Sequence, residues 1–182
     1  TRTQRLELKA GWNAVFLEVA PLSDNPGEAF GGSPVDVVAA YFAPTSSVQF
    51  IQDPSEKPWQ KAGWGVWYAP GRPEHVLSNL HAVLGNAPYL VHARDNFTLA
   101  ITGRVVHHTV RWTPNSFNFV GFCVDSAAPP SFSVFFAGSD AHESQRFYRL
   151  VDGVWRRVSN PDTTRVQPGE AYWVYCQGRS TH

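Results

Sequence analysis

Aromatic side chains crowd one Gly- and Pro-rich stretch of the chain, residues 52–73, which reads QDPSEKPWQKAGWGVWYAPGRP. Trp and Tyr rings in such a loop offer flat apolar faces that stack on sugar rings or exposed peptide segments, and nearby acidic or Arg side chains orient the ligand. We therefore predict that this stretch binds a polysaccharide or a protein surface. The predicted ligand-binding residues are Trp59, Trp64, Trp67, Tyr68, Asp53 and Arg72. The alternative is that the same rings cap a sheet edge or pack on neighbouring structure, because Trp is costly to leave in water.

The chain has two cysteines, Cys123 and Cys176. In the internal alignment given below, both fall in the second of two matched units, and the first unit has Glu18 and Ala93 at the same positions. Because the two thiols are present together and absent together, we predict that they face one another and form a disulfide in an oxidising compartment. Closing a loop of about 53 residues contributes about 4 kcal/mol on the chain-entropy model. The alternative is two buried free thiols that pack as small apolar groups.

The His, Ser and acidic residues lack the spacing that metal binding or catalysis requires. The adjacent pair His107-His108 points to opposite faces of a strand, so it cannot chelate one metal ion. The sequence has no Cys-x-x-Cys or His-Glu-x-x-His motif, no nucleophile elbow and no phosphate-binding loop. Carboxylate pairs such as Asp53 with Glu56, or Asp140 with Glu143, are more typical of solvated turns than of a glycosidase. We expect no metal, no cofactor and no catalytic residue.

Composition and charge exclude further classes of function. Hydrophobic residues make up 43% and aromatic residues 14% of the 182 residues, enough for a sizeable core. Fifteen basic residues balance fifteen acidic ones with no block of either sign, so nucleic acid is not an expected partner. No apolar run approaches the roughly 20 residues of a membrane-spanning helix. Few Lys, many Trp and many Pro favour a secreted bacterial protein, and the lack of Met suggests a processed piece of a longer chain with residues 177–182 as a linker.

Two stretches of the chain match without a gap, residues 11–19 (GWNAVFLEV) and 116–124 (SFNFVGFCV). Four further pairs match in the same order, and these are 26–32 with 130–138, 37–41 with 146–150, 78–79 with 159–160, and 86–91 with 169–174. Five ordered matches predict an internal repeat. We place the first unit at residues 1–104, with an aromatic-rich insertion at about 52–73, and the second unit at residues 105–182.

The alternation of side chains between two faces, together with turn residues such as Gly and Asp, predicts short strands joined by turns. Residues 14–19 alternate between two faces, as a half-buried strand does, and residues 120–124 repeat the pattern. Asp152-Gly153 between two apolar runs predicts a tight hairpin. The predicted strands lie near residues 14–19, 37–42, 48–52, 89–92, 98–102, 106–112, 120–124, 145–150, 154–158 and 172–175.

Helical signals are short. Asn25 followed by Pro26 and Glu28 predicts one helical turn that Gly31-Gly32 closes, and residues 78–84 predict a second short helix. The fold class is therefore all-β, with two tandem and similar β-sandwich or compact-barrel units that carry one or two short helical turns each. In this fold Trp12 and Phe117 would plug one end of each core.

The Asn residues of the two matched stretches, Asn13 and Asn118, each precede an apolar strand. Asn side chains readily bond to nearby backbone groups in turns. We therefore expect both to hydrogen-bond the backbone where their strand begins.

The motifs Gly11-Trp12-Asn13, 47–54 (SVQFIQDP), Ser116-Phe117-Asn118 and 169–174 (GEAYWV) together resemble β-modules of large secreted or surface-exposed bacterial proteins. Such modules occur in Planctomycetes- and Verrucomicrobia-like sequences, often ahead of laminin-G-like jelly-roll domains. The second unit departs from the pattern because Ser-Phe replaces Gly-Trp. The resemblance spans nearly the whole chain and implies an extracellular, non-catalytic module, with no family active-site residues to carry over.

Three functions follow as predictions from these observations. The first is a non-catalytic repeat module of a larger secreted or surface protein, which displays, attaches or interacts with neighbouring domains of the same polypeptide. The second is a carbohydrate-binding module that uses the Trp-rich insertion. The third is a glycan-acting enzyme, which would need carboxylates that converge only in the folded chain.

Overall fold

The computed structural model describes residues 1–42 and 63–182 and confirms an all-β fold. The strands are β1 (Arg2–Leu8), β2 (Gly11–Leu17), β3 (Val19–Pro21), β4 (Val35–Tyr41), β5 (Trp64–Tyr68), β6 (Ala87–Ala93), β7 (Phe97–Val105), β8 (Ser116–Gly121), β9 (Phe147–Val151), β10 (Val154–Arg157) and β11 (Ala171–Cys176). The helices are α1 (Pro26–Ala29) and α2 (Phe132–Phe135), and single 3₁₀ turns occupy Pro73–Leu77 and Asp140–His142.

The described strands form three antiparallel sheets, which we call A, B and C. Sheet A has the order β1-β7-β3, sheet B the order β2-β6-β4-β5, and sheet C the order β8-β11-β9-β10. Sheet B packs against sheet A through one apolar cluster and against sheet C through a second, aromatic-rich cluster. A third cluster covers the outer face of sheet C with α2 and the segment near Trp112. Side chains alternate between the two faces of sheet B, and both faces are buried because sheet A covers one and sheet C covers the other.

The predicted helix cap at Asn25 and the predicted hairpin at Asp152-Gly153 are confirmed. The Gly27 N–H donates to Asn25 Oδ1 at 2.8 Å, so Asn25 caps α1 and Pro26 is its first residue. Asp152 and Gly153 join β9 to β10 with φ values of 50° and 75°, the left-handed pair that a two-residue hairpin of this kind requires. Short-range signals of this type depend on few residues, which is why they survive in the folded chain.

Several predicted elements differ from the structure. Residues 106–112 form no strand, and the predicted helix at 78–84 is replaced by the earlier 3₁₀ turn at Pro73–Leu77. The strand predicted at 48–52 lies outside the described residues. Strand β1 was not predicted, although its residues alternate between exposed and buried from Thr3 to Leu8. The buried polar side chain of Gln4 interrupts the apolar pattern that would have revealed it.

Sheets B and C share their strand order and their register. Asn13 on β2 lies opposite Val91 on β6, and Asn118 on β8 lies opposite Val174 on β11. The predicted roles of the two Asn side chains are confirmed. Asn13 Nδ2 donates to the Lys9 carbonyl at 2.8 Å, and Asn118 Nδ2 donates to the Thr113 carbonyl at 3.1 Å.

The residues that precede the two Asn, Trp12 and Phe117, are half-buried against the aromatic cluster that sheets B and C share. The second half of the chain is not a closed sandwich of its own. The inner face of sheet C is covered by sheet B.

Candidate functional site

The predicted aromatic surface is largely interior. Trp64, Trp67 and Tyr68 lie on β5 and expose 7%, 6% and 1% of their surface. Trp64 and Tyr68 pack between sheets B and C, and Trp67 packs between sheets A and B. A buried ring has no free face on which a sugar can stack, so these three side chains hold the sheets together, the alternative weighed from the sequence. Trp59 and Asp53 lie outside the described residues.

Arg72, the remaining predicted binding residue, belongs to an ion-pair network. Its Nη1 lies 2.8 Å from Asp36 Oδ2, and its Nε lies 3.2 Å from Glu74 Oε2. The other oxygen of Asp36 lies 2.6 Å from His92 Nδ1, and the His92 ring meets the edge of Trp12 at 5.2 Å. Because its guanidinium pairs with both Asp36 and Glu74, Arg72 has a structural role at sheet B.

A β-bulge places the acidic side chain at the centre of this network. The pairing of β4 with β6 shifts between Val35 and Val37, so Asp36 is the extra residue of the bulge. A bulge re-aims a side chain that would otherwise follow the pleat. The sequence offered no sign of this contact, because Asp36 and His92 lie 56 residues apart.

The predicted disulfide is wrong. Strands β8 and β11 are antiparallel, and Cys176 lies opposite Ser116 at the start of β8. Cys123 lies beyond the other end of β8, about seven residues and so roughly 20 Å away along the strand, whereas a disulfide needs Cα atoms within about 7 Å. Cys123 is exposed and Cys176 is buried, and both thiols are free. Burial raises the pKa of the Cys176 thiol, and at Cys123 partial desolvation of the sulfur, followed by the nearby Glu18 carboxylate, raises the pKa.

A cleft of about 840 Å³ opens between the three sheets. One wall is formed by residues 5–15, which comprise most of β1, the corner and the start of β2. The other wall is formed by the β9–β10 hairpin at residues 149–153 and by the loop at residues 168–170. Parts of the chain more than 130 residues apart thus build one concave site.

A half-buried ion pair, Arg149 with Glu170, lines this cleft. Arg149 Nη2 lies 3.1 Å from Glu170 Oε2, and the Tyr172 hydroxyl donates to the same oxygen at 2.9 Å. Burial raises the pKa of Glu170, an effect that the Arg149 charge and the Tyr172 hydrogen bond oppose. Burial is also the largest cause of the raised pKa of Tyr172. Arg149, Glu170 and Tyr172 therefore form a polar network whose hydrogen bonds are made within the protein, so none of the three is a free group for binding a ligand.

Exposed charges line the rim of the cleft. Lys9 Nζ lies 3.4 Å from Asp152 Oδ1, and this pair spans the cleft from the β1–β2 corner to the hairpin tip. Glu7 accepts hydrogen bonds from the Thr98 hydroxyl at 2.8 and 2.9 Å. Arg5 is exposed and has no ion-pair partner among the described residues. An isolated cation on this rim is the group most available to an incoming anion.

The edge of β2 that faces the cleft is closed where it meets the loop at residues 168–170. The Phe16 N–H donates to the Gly169 carbonyl at 2.8 Å. The Gln4 side chain donates to the Phe16 carbonyl at 2.8 Å and accepts from the Glu18 N–H at 2.9 Å. The buried Gln4 amide thus makes the hydrogen bonds that a neighbouring strand would otherwise make to Phe16 and Glu18. This explains why Gln4 is polar although the other inward-facing residues of β1 are apolar.

The part of the chain that the structure describes contains no group of three or more His, Cys, Asp or Glu side chains able to hold a metal ion. Within residues 1–42 and 63–182, no helix has the length and apolar character needed to cross a membrane. Comparison of the chain with protein-family models, curated proteins and solved structures finds no match. Function is therefore inferred from the geometry of the cleft.

Proposed function

We propose that the chain is a non-catalytic interaction module of a larger secreted or surface protein, and that its partner binds in the cleft between the β1–β2 corner and the β9–β10 hairpin. The observation that carries this proposal is the cleft itself, which has a volume of about 840 Å³ and, on its rim, the exposed Arg5, which forms no ion pair within the described part of the chain. Binding sites are typically concave, with apolar walls and a few polar groups. The module would attach or display neighbouring domains of the same polypeptide.

The module is, on this proposal, two copies of one four-stranded unit. The shared strand order and register of sheets B and C support it. So do two tyrosines at matching positions, since the Tyr89 hydroxyl accepts from the Leu84 N–H at 2.7 Å and the Tyr172 hydroxyl accepts from the Gln167 N–H at 2.7 Å. Strand β6 contacts β8, and β11 contacts β2, the reciprocal contacts expected of two like units about a two-fold axis.

The proposed location, outside the cell or at its surface, rests on composition and on the resemblance to β-modules of secreted bacterial proteins. The expected disulfide no longer contributes to it, because both thiols are free. A rigid stack of sheets with aromatic packing between them suits a spacer that holds other domains apart.

A carbohydrate ligand is the second candidate for the same cleft. Trp12 is half-buried and lines the cleft, together with the carboxylates of Glu7 and Asp152. An indole face beside carboxylates is a common arrangement for holding a sugar ring. This candidate replaces the Trp-rich insertion with Trp12 as the stacking residue.

Ligand arrays with a blocked cleft test the proposal. Ala10 is exposed and lines the cleft, so Ala10→Trp should fill it without disturbing a core. Ala128 is exposed and lies outside the cleft, so Ala128→Trp is the matched control. We expect the wild-type protein to bind members of a peptide or glycan array, Ala10→Trp to lose at least about tenfold in affinity, and Ala128→Trp to lose none. Absence of any ligand on both arrays, or full binding by folded Ala10→Trp, would reject the proposal.

A further inference from the structure

We propose that the cleft receives an extended polypeptide segment, which adds as a fourth strand to the β1 edge of sheet A and places an acidic side chain opposite Arg5. This inference rests on the interaction function proposed above and names the class of partner and the way in which it binds. Over residues 1–42 and 63–182, sheet A has three strands, whereas sheets B and C have four each. Strand β1 is the edge of sheet A, and residues 5–8 of β1 line the cleft.

The direction of the backbone groups along β1 follows from the other side of the sheet. The Leu22 N–H donates to the Thr102 carbonyl at 3.2 Å, so the backbone groups of Thr102 face β3. Because this direction alternates along a strand, those of Ile101 face β1, where Ile101 pairs with Gln4. The same alternation along β1 turns the N–H and carbonyl groups of residues 3, 5 and 7 to the free edge.

These edge groups are open. Within the described part of the chain, the edge-facing N–H and carbonyl groups of Thr3, Arg5 and Glu7 have no hydrogen-bonding partner. The next edge position is closed, because Asn13 Oδ1 accepts from the Lys9 N–H at 3.0 Å and Asn13 Nδ2 donates to the Lys9 carbonyl at 2.8 Å. An unpaired run of alternating donors and acceptors is the template to which an extended peptide adds.

The cleft provides space on the side where a new strand would lie. Neighbouring strands are about 4.8 Å apart, so the added strand would occupy the region directly beside residues 5–8. The β9–β10 hairpin forms the opposite wall, and the Lys9–Asp152 pair closes one end. A volume of about 840 Å³ suits a short segment, whereas a second copy of this chain would have to bring a whole sheet edge past the hairpin. The geometry therefore favours a single extended segment.

Charge decides which segment fits. The outer face of sheet A places the small side chain of Ala100 opposite Arg5 on β7, and the Glu7 carboxylate is engaged by Thr98. Among the residues that the structure describes, the Arg5 guanidinium thus has no ion-pair partner, and a directly opposite residue on an added strand would lie about 5 Å away. Charged side chains on an edge discourage unselective pairing, and here they select a segment with Asp or Glu at one position.

Fluorescent peptides provide the test, with the octapeptide TVTVEVTV as the probe. Its two controls carry Lys in place of Glu, or N-methyl groups on alternate amides that block one hydrogen-bonding edge. The protein variants are Arg5→Glu, which reverses the charge, and Arg5→Pro, which removes one edge N–H. Pro is tolerated there because that N–H does not pair with β7. Arg104→Glu is the matched control, since Arg104 is exposed on β7 and its backbone groups face β3.

The expected result is a set of matched changes in affinity. The wild-type protein binds the Glu peptide at least tenfold tighter than the Lys peptide, and Arg5→Glu inverts this preference. Arg5→Pro and the N-methylated peptide each lose at least tenfold, while Arg104→Glu behaves as wild type. Hydrogen exchange at the amides of Arg5 and Glu7 slows when the Glu peptide binds, which contact by side chains alone would not cause.

Three outcomes would overturn the inference, and they separate it from the proposed function. Peptide binding that survives both Arg5→Pro and N-methylation would exclude strand addition, while array ligands blocked by Ala10→Trp would still support an interaction module. A concentration-dependent dimer that Arg5→Pro disperses would identify a second copy as the occupant. No binding by any of the peptides would exclude this class of partner.

Discussion

Sheets B and C have the same strand order, yet they carry side chains of different size where they touch. Phe16 lies opposite Pro88 in sheet B, and Gly121 occupies the corresponding place in sheet C, opposite Ala171. The two residues meet across the interface, because a Cβ atom on Gly121 would lie 2.2 Å from Phe16 Cγ. Two large side chains cannot share one place where like surfaces meet, so one sheet supplies the ring and the other the space.

The same complementarity recurs one step along both strands. Ala14 in sheet B lies opposite Leu90, and at the matching place in sheet C Phe119 lies opposite Trp173. All four side chains belong to the aromatic cluster between the sheets. Sheet C therefore supplies the larger rings of this pair of positions and sheet B the smaller groups, which packs the interface densely without a clash.

The largest expected effect comes from breaking the complementarity at Phe16 and Gly121. Gly121→Val should lower the free energy of unfolding by about 3 kcal/mol, the upper part of the usual range for overpacking, because its side chain would collide with the Phe16 ring. Phe16→Ala alone should cost about 3–5 kcal/mol through the cavity that it leaves. Urea unfolding measures both values.

The double variant tests whether the side chains at positions 16 and 121 compete for the same space. Phe16→Ala combined with Gly121→Val should be destabilised by clearly less than the sum of the single changes, since the Val side chain enters the space that the ring vacates. The interaction energy expected for residues in contact is about 0.5–3 kcal/mol. Strictly additive losses would show that Phe16 and Gly121 do not compete for one space.

A smaller difference is expected between the matched tyrosines. The Tyr172 hydroxyl bonds with both the Gln167 N–H and the partly buried Glu170 carboxylate, whereas among the described residues the Tyr89 hydroxyl bonds with the backbone of Leu84 alone. Tyr172→Phe should cost about 2–3 kcal/mol, because it leaves a partly buried carboxylate with one partner fewer, and Tyr89→Phe about 1 kcal/mol. Equal losses in thermal or urea unfolding would mean that Glu170 gains nothing from Tyr172.

The weakest effect concerns pH and a histidine beneath sheet C. His142 is 2% exposed, with its Nδ1 3.1 Å from the Tyr175 carbonyl and its Nε2 3.0 Å from Ser180 Oγ. Burial lowers the pKa of His142 below its usual value of 6.5. Between the lowered folded pKa and 6.5 the unfolded chain binds more protons, so stability falls as pH decreases through this window.

The variant His142→Phe isolates this contribution. Wild-type stability should fall between pH 7.5 and pH 5.5 by up to about 1.4 kcal/mol for each unit by which the folded pKa lies below 6.5. His142→Phe should show a smaller loss over the same range, because it has no imidazole to protonate. Denaturant unfolding at both pH values gives the difference, and identical slopes for the two proteins would contradict the assignment.

Local signals in the sequence predicted local structure well. The cap at Asn25, the hairpin at Asp152-Gly153 and the backbone bonds of Asn13 and Asn118 are confirmed, because each depends on residues within about five positions of one another. The alternation of residues 14–19 likewise predicted strand structure, although the chain forms two strands there, β2 and β3, and both faces are buried rather than one. The all-β class followed from many such runs. These features need no knowledge of what packs on them.

Interactions between distant parts of the chain were beyond the same reasoning. The aromatic run at residues 64–68 looked like a surface, yet it is a central part of two cores, since sheet B is covered on both faces. The cysteines looked like a pair, yet antiparallel pairing puts them at opposite ends of β8 and β11. The bulge at Asp36 forms only when β4 pairs with β6. Strand β1 contains the polar residue Gln4, whose side chain closes the edge of β2.

The sequence by itself determined the all-β class, most of the strands and the tight turns between them, because alternation and turn chemistry act over a few residues. Only the tertiary structure decided which strand faces are covered, which thiols are far apart and where a cleft opens beside an unpaired edge. Those outcomes depend on how sheets stack, and stacking is decided by side chains that lie far apart in the chain and meet only on folding.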